Sequence, residues 1–106
     1  MDLINNKRQE LEKACSTFKV EELYAFGSIL TDKFHPESDI DFIVSILSND
    51  PIDYAENYFE LKFELEKIFE RKIDLLELKA IKNKTFEAII NQQKTLVYAR
   101  RDQSVA

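Results

Sequence analysis

Three short stretches of this sequence carry residue types suited to phosphate chemistry: Gly27-Ser28, Asp39-Ile40-Asp41 and Asp74. Alternation along a strand would place Asp39 and Asp41 on one face and Ile40 and Phe42 on the other. Two carboxylates side by side repel each other unless cations lie between them. Magnesium takes hard oxygen ligands, often one or two carboxylates together with substrate phosphates. Two such ions about 3.5–4 Å apart suit in-line displacement at phosphorus. Gly27-Ser28 falls between a predicted strand and a predicted short helix. The first N–H groups of a helix have no intrahelical partner and carry partial positive charge, so they can receive phosphate. Glycine lets the backbone approach closely, and a serine hydroxyl can donate. Asp74 lies among Ile73, Leu75 and Leu76 in a strand that reads as substantially buried. A charge there needs a partner, and a metal shared with Asp39 and Asp41 would be one.

Each stretch alone has a plainer reading. Gly-Ser is a turn with a helix cap, the Asp pair a solvated strand end, and Asp74 an exposed strand start or an ion-pair partner of Arg71 or Lys72. Their combination is what carries weight. Gly-Ser, ten residues, then Asp-x-Asp arises by chance with odds on the order of one in a thousand at this length.

The elements that must position these residues follow from periodicity. Leu3 to Phe18 has apolar residues at helical spacing. Leu23 to Phe26 reads as a short strand ending at Gly27, and Ser28 to Lys33 as a short helix. Pro36 keeps His35 out of helical geometry, so His35 to Ser38 is a loop. Asp39 to Ile46 is a strand rich in β-branched residues. Ser48 to Asp50 turns into a helix with Pro51 at its first position. That helix runs to Phe69 with an apolar stripe at Tyr54, Tyr58, Leu61, Leu65 and Ile68. A strand over 72–78, a helix over 85–93 and a closing strand over 95–98 complete the order. The fold class expected is α/β (α+β), one sheet covered by helices, over residues 1–98, with 99–106 a polar tail.

Composition bounds the rest. The 106 residues carry Lys+Arg 15 and Asp+Glu 20, a net charge of −5. A domain that grips a nucleic-acid backbone alone is usually basic, so nucleic acid is a poor expectation; a nucleotide can still bind through metal ions. One cysteine, Cys15, excludes an internal disulfide, and no Cys/His cluster suggests zinc. No apolar run is long enough to span a membrane, the first residues lack a signal-peptide core, and a cytoplasmic location is expected. With Gly 1 against about seven expected from average usage, the single Gly27 marks a position where the backbone needs glycine. Phe59 and Phe63 lie off the stripe of their helix, which points to a covered face, by a partner or by a second copy.

Gly27-Ser28, ten residues, then Asp39-Ile40-Asp41 followed by Phe42-Ile43-Val44 resembles the signature of the DNA polymerase beta-like nucleotidyltransferase superfamily, and Asp74 resembles its third carboxylate. The length and the Ser38-Asp39-Ile40-Asp41 form are similar to the minimal nucleotidyltransferases (MNT), commonly encoded beside a HEPN-domain ribonuclease toxin and acting as its antitoxin. The resemblance covers about residues 20–98. It implies a small mixed sheet with packed helices, and AMP transfer from ATP to an acceptor hydroxyl, a tyrosine of a HEPN toxin. It further implies two Mg2+ ions. Asp39 and Asp41 would bind both metals, while Asp74 would hold the catalytic one and help activate the acceptor. Gly27 and Ser28 would hold the β/γ-phosphates. Members often carry an Arg-Gly stretch after Gly-Ser; here Ile29-Leu30-Thr31-Asp32-Lys33 has no arginine, and Lys33 is the residue that could substitute. Two other readings stay open: a module that neutralises its partner by contact alone, and a small-molecule nucleotidyltransferase, for which this length leaves no second substrate domain.

Overall fold

The computed structural model describes residues 2–100. Its elements run α1 (Asp2–Asn6), α2 (Arg8–Thr17), β1 (Val20–Phe26), a 3-10 turn (Gly27–Leu30), β2 (Ile40–Ile46), α3 (Pro51–Phe69), β3 (Ile73–Glu77), a second 3-10 turn (Leu78–Ala80), α4 (Lys84–Gln93) and β4 (Thr95–Ala99). This is the mixed α+β class expected. The single predicted N-terminal helix is two: the ladder breaks at Lys7, whose backbone leaves the helical region at φ −114°, ψ 22°. The first strand starts three residues earlier than its apolar run, because Val20 pairs with Ile46 and Glu22 with Ser45 and Ala99, with a register shift at Glu21 between them.

The four strands lie in the order β3-β2-β1-β4. β2 and β3 are parallel, joined through α3, and the other two pairs are antiparallel. Side-chain alternation divides the sheet. Ile40, Phe42 and Val44 of β2, Leu23 and Ala25 of β1, and Ile73 and Leu75 of β3 enter the main core. They pack there with Leu11, Ala14 and Cys15 of α2 and with Leu61, Leu65 and Phe69 of α3. The Phe42 and Phe69 rings are tilted with centroids 6.0 Å apart, a favourable arrangement of their quadrupoles. The opposite face carries Asp41 and Ile43 of β2, Asp74 and Leu76 of β3, and Tyr24 and Phe26 of β1. Ile43 is fully buried there, outside the main core, as is Ile90 of α4.

The ends of α3 are set by short-range chemistry. Asp50 is its N-cap, accepting from the Ile52 N–H at 3.3 Å with Pro51 in the first turn. Glu70 closes the helix in the left-handed region at φ 52°. As expected, Leu61 and Leu65 are buried, Tyr54, Tyr58 and Ile68 partly so, and Phe59 and Phe63 remain 56% and 58% exposed. Cys15 has no exposed surface, and burial pushes its thiol pKa up to about 12. β4 runs through Ala99, one residue into the stretch expected as tail. Arg100 is held by the chain: its N–H donates to Glu21 O at 2.8 Å, and its guanidinium to Val20 O at 3.1 Å and Ser16 O at 3.3 Å. The remaining expected tail, 101–106, lies outside the described residues. Among the described residues no helix is long and apolar enough to cross a membrane.

The cap on α3 gives a direct test. Replacing Asp50 by alanine strands an N–H of the first turn, and we expect a loss of about 1 kcal/mol, read as a lower denaturant midpoint with an unchanged slope.

Candidate active site

The parallel seam between β2 and β3 brings the carboxylates together. Asp41 and Asp74 are register partners, so both side chains leave the same face from strands about 4.8 Å apart. Asp39 immediately precedes β2. On the other side of Asp41 its antiparallel partner is Phe26, the last residue of β1, followed directly by Gly27. Three elements therefore meet at one corner of the sheet: the end of β1 with its 3-10 turn, the start of β2 and the start of β3.

Asp39 and Asp41 are half-buried. Asp74 is exposed, a correction to the buried strand read from its apolar neighbours. β3 is an edge strand, and only its Ile73 and Leu75 side enters the core. The Asp41 carboxyl is held above its ordinary pKa, first by burial, then by the charge of Asp74, by a hydrogen bond with Asp74 and by the charge of Asp39. Like charges close together cannot all ionise freely. A cation placed among them would relieve that repulsion.

Gly27 is fixed by this arrangement. Its φ is +79°, and a Cβ built there would stand 2.5 Å from Asp41 Oδ2. The lone glycine occupies a backbone conformation that side chains resist, and it leaves the space the Asp41 carboxylate fills. Ser28 follows in the turn, half-buried; its carbonyl accepts from the Thr31 N–H at 2.9 Å and the Thr31 hydroxyl at 2.8 Å. The expected short helix is a four-residue 3-10 turn, ending at Leu30 rather than near Lys33. Lys33 is exposed beyond it, with its backbone N–H on Thr31 Oγ1 at 3.1 Å. His35 is an exposed loop residue whose Nδ1 accepts from the Glu37 N–H at 3.2 Å.

Among the described residues, no three acidic, histidine or cysteine side chains stand close enough to form a ready-made metal cage. The donor set nevertheless fits a hard divalent cation. It offers carboxylate oxygens and no thiol or imidazole, and the raised pKa of Asp41 reflects burial first and the neighbouring Asp74 and Asp39 charges after it. Sequence reasoning named Arg71 only as an alternative ion-pair partner of Asp74; it donates instead from Nη1 to Ser38 O at 3.0 Å and His35 O at 3.3 Å. Its partners are backbone carbonyls, which leave no mark in the sequence.

Two outcomes follow. Gly27→Ala meets both the unfavourable φ and the Asp41 carboxylate, so we expect a loss of more than about 1 kcal/mol of stability, read by thermal unfolding. For Asp41 the sign is set by its raised pKa: the fold binds that proton more tightly than the unfolded chain, so this group's contribution is full in acid and is lost as pH rises above the ordinary carboxylate value. In metal-free protein, Asp41→Asn should therefore raise Tm at pH 7, and the gain should vanish as the pH is lowered through the carboxylate range.

Comparison with known proteins bears on the family and the fold. A Methanocaldococcus jannaschii protein named "putative protein adenylyltransferase" is 39% identical over 66 residues, 62% of this chain and 65% of that protein's length. The match thus spans less than two thirds of that relative. A chain of a toxin–antitoxin crystal structure with AMP-PNP superposes with a TM-score of 0.66 at 22% identity, covering 89% of this chain and 74% of that one. A chain from a complex of tri-AMPylated Shewanella oneidensis HEPN toxin with MNT antitoxin gives 0.61 at 19% identity, over 91% and 72%. A structure described as a "putative minimal nucleotidyltransferase" gives 0.67 at 20% identity, over 90% and 95%. At these identities the structural likeness is one of fold. Residues 9–103, nearly the whole chain, match the family described as polymerase beta, nucleotidyltransferase; this chain belongs to that family.

Proposed function

We propose that the protein transfers AMP from ATP to a hydroxyl of a partner protein, a tyrosine of a HEPN-domain toxin, and so acts as the toxin's antitoxin. The observation that carries the reading is the register pairing of Asp41 with Asp74 against the side-chain-free edge at Gly27. The family match and the toxin–antitoxin structures of the same fold support it.

In this reading Asp39, Asp41 and Asp74 hold two Mg2+ ions. Bound there, the ions would stabilise charge on the α-phosphate and on departing pyrophosphate. The chain's own residues do the remaining work. Asp41, whose carboxyl is held above its ordinary pKa, gives up its proton to become a ligand beside Asp74. Asp74, exposed at the edge strand, faces the side from which an acceptor hydroxyl can enter, and it orients that hydroxyl and draws its proton. Gly27 gives the triphosphate close approach to backbone N–H groups, and Ser28 and Lys33 contact the β/γ-phosphates.

Contact-only neutralisation is favoured by one feature: the stretch after Ser28 lacks arginine, and Asp32 brings the wrong sign for phosphate. Supplying α-labelled ATP, Mg2+ and a HEPN partner separates the readings. Transfer should place label on the partner, and Asp39→Asn with Asp41→Asn should reduce it at least about a hundredfold with the fold intact. A stable, neutralising complex that never takes label would overturn transfer in favour of contact. Label on small hydroxylated acceptors, with none on protein, would point to a small-molecule enzyme.

A further inference from the structure

The loop that delivers Asp39 is held from outside by one side chain. Within it, the Ser38 N–H donates to His35 O at 2.9 Å, the His35 N–H to Ser38 Oγ at 3.1 Å, and the Glu37 N–H to His35 Nδ1 at 3.2 Å. Among the described residues the one side chain from elsewhere that hydrogen-bonds to residues 35–38 is Arg71. Its Nη1 reaches the carbonyls of Ser38 and His35, and its guanidinium lies 4.8 Å from the centre of the Phe34 ring. The Ser38 carbonyl belongs to the peptide that leads into Asp39. Arg71 itself sits between α3 and β3, next to Lys72, whose carbonyl accepts from the Ile40 N–H at 3.2 Å. The guanidinium thus ties the approach to β2 to the approach to β3, the two strands that carry Asp41 and Asp74.

This contact has a cost that simple packing would avoid. Arg71 Nε is buried with no partner, and an unpaired buried donor is unfavourable. A methionine or leucine would cover Phe34 without it. What an apolar side chain cannot do is hold two carbonyls at once with a planar, charged donor.

We propose that Arg71 is a positioning residue for the carboxylate site, fixing the His35–Ser38 loop so that Asp39 is presented beside Asp41 and Asp74. The inference rests on the metal-dependent reading of that site, and Mn2+ alone is the probe that keeps the two apart. Charge by itself predicts the opposite of positioning: removing a cation near three carboxylates should tighten Mn2+ binding. If Arg71 positions Asp39, Arg71→Met should weaken Mn2+ binding roughly tenfold, from the loss of charged hydrogen bonds. Arg71→Lys, which keeps the charge and can donate but lacks the planar fork, should recover part of it. Amide exchange without metal should speed up at Ser38 and Ile40 and stay unchanged in the middle of β2, as a local rather than a general loosening. Unchanged or tighter Mn2+ binding in Arg71→Met overturns the proposal, and so does exchange raised throughout the sheet. Nucleotide transfer is measured in parallel. If wild type binds Mn2+ and transfers nothing, the proposed activity fails while the positioning role is still decided by the Mn2+ affinities. If wild type transfers label, Arg71→Met should lose about tenfold in kcat/KM, and an unchanged value would also overturn the proposal.

Discussion

Two like charges on neighbouring strands organise this molecule. A parallel pairing that sets Asp41 beside Asp74 is unfavourable as a piece of folding, and the surrounding structure must make up the difference. It does so on the opposite face. The residues that alternate with the carboxylates, Ile40, Phe42, Ile73 and Leu75, are the ones locked under α2 and α3. Each carboxylate is flanked along its own strand by side chains that cannot leave the core. At about 1.5–3 kcal/mol for each large apolar side chain buried, the four together outweigh a repulsion on the order of 4 kcal/mol between two partly solvated charges. The crossover through α3 is part of the same arrangement, since parallel neighbours need a long connection.

The corner where the site forms is economical in residue types. Its one glycine is the chain's one glycine, placed where a Cβ would strike the Asp41 carboxylate. The positive charge near the corner comes from Arg71, at the approach to β3, and Lys33 lies exposed beyond the turn. The net charge of −5 is consistent with a domain whose anionic ligand is met through cations and backbone N–H groups rather than through a basic surface.

Much of this was legible in the residue order. Period-two alternation set Asp39 and Asp41 apart from Ile40 and Phe42, and the scarcity of glycine singled out Gly27. The Asp50-Pro51 pair marked the start of α3. What was not legible depended on long-range pairing. That β2 runs parallel to β3 and antiparallel to β1 has no local signature, and so the direct register pairing of Asp41 with Asp74 could not be read from spacing. Asp74 was misread as buried because an edge strand and a central strand can share the pattern Ile-Asp-Leu-Leu. The start of β1 was missed because Glu21 and Glu22 interrupt its apolar run. Arg71 could not be found from spacing, since what it binds is main chain.

Cys15 has a practical consequence. Its thiol is sealed under α2, and its proton is held with a pKa of about 12, so the nucleophilic thiolate is essentially absent from the folded protein at neutral pH. A maleimide can react only when the helical layer opens. As the sole sulfhydryl in the chain, it takes one covalent tag per molecule; the rate of tagging follows the population of the opened layer, and becomes a clock for opening itself once reagent outpaces reclosing.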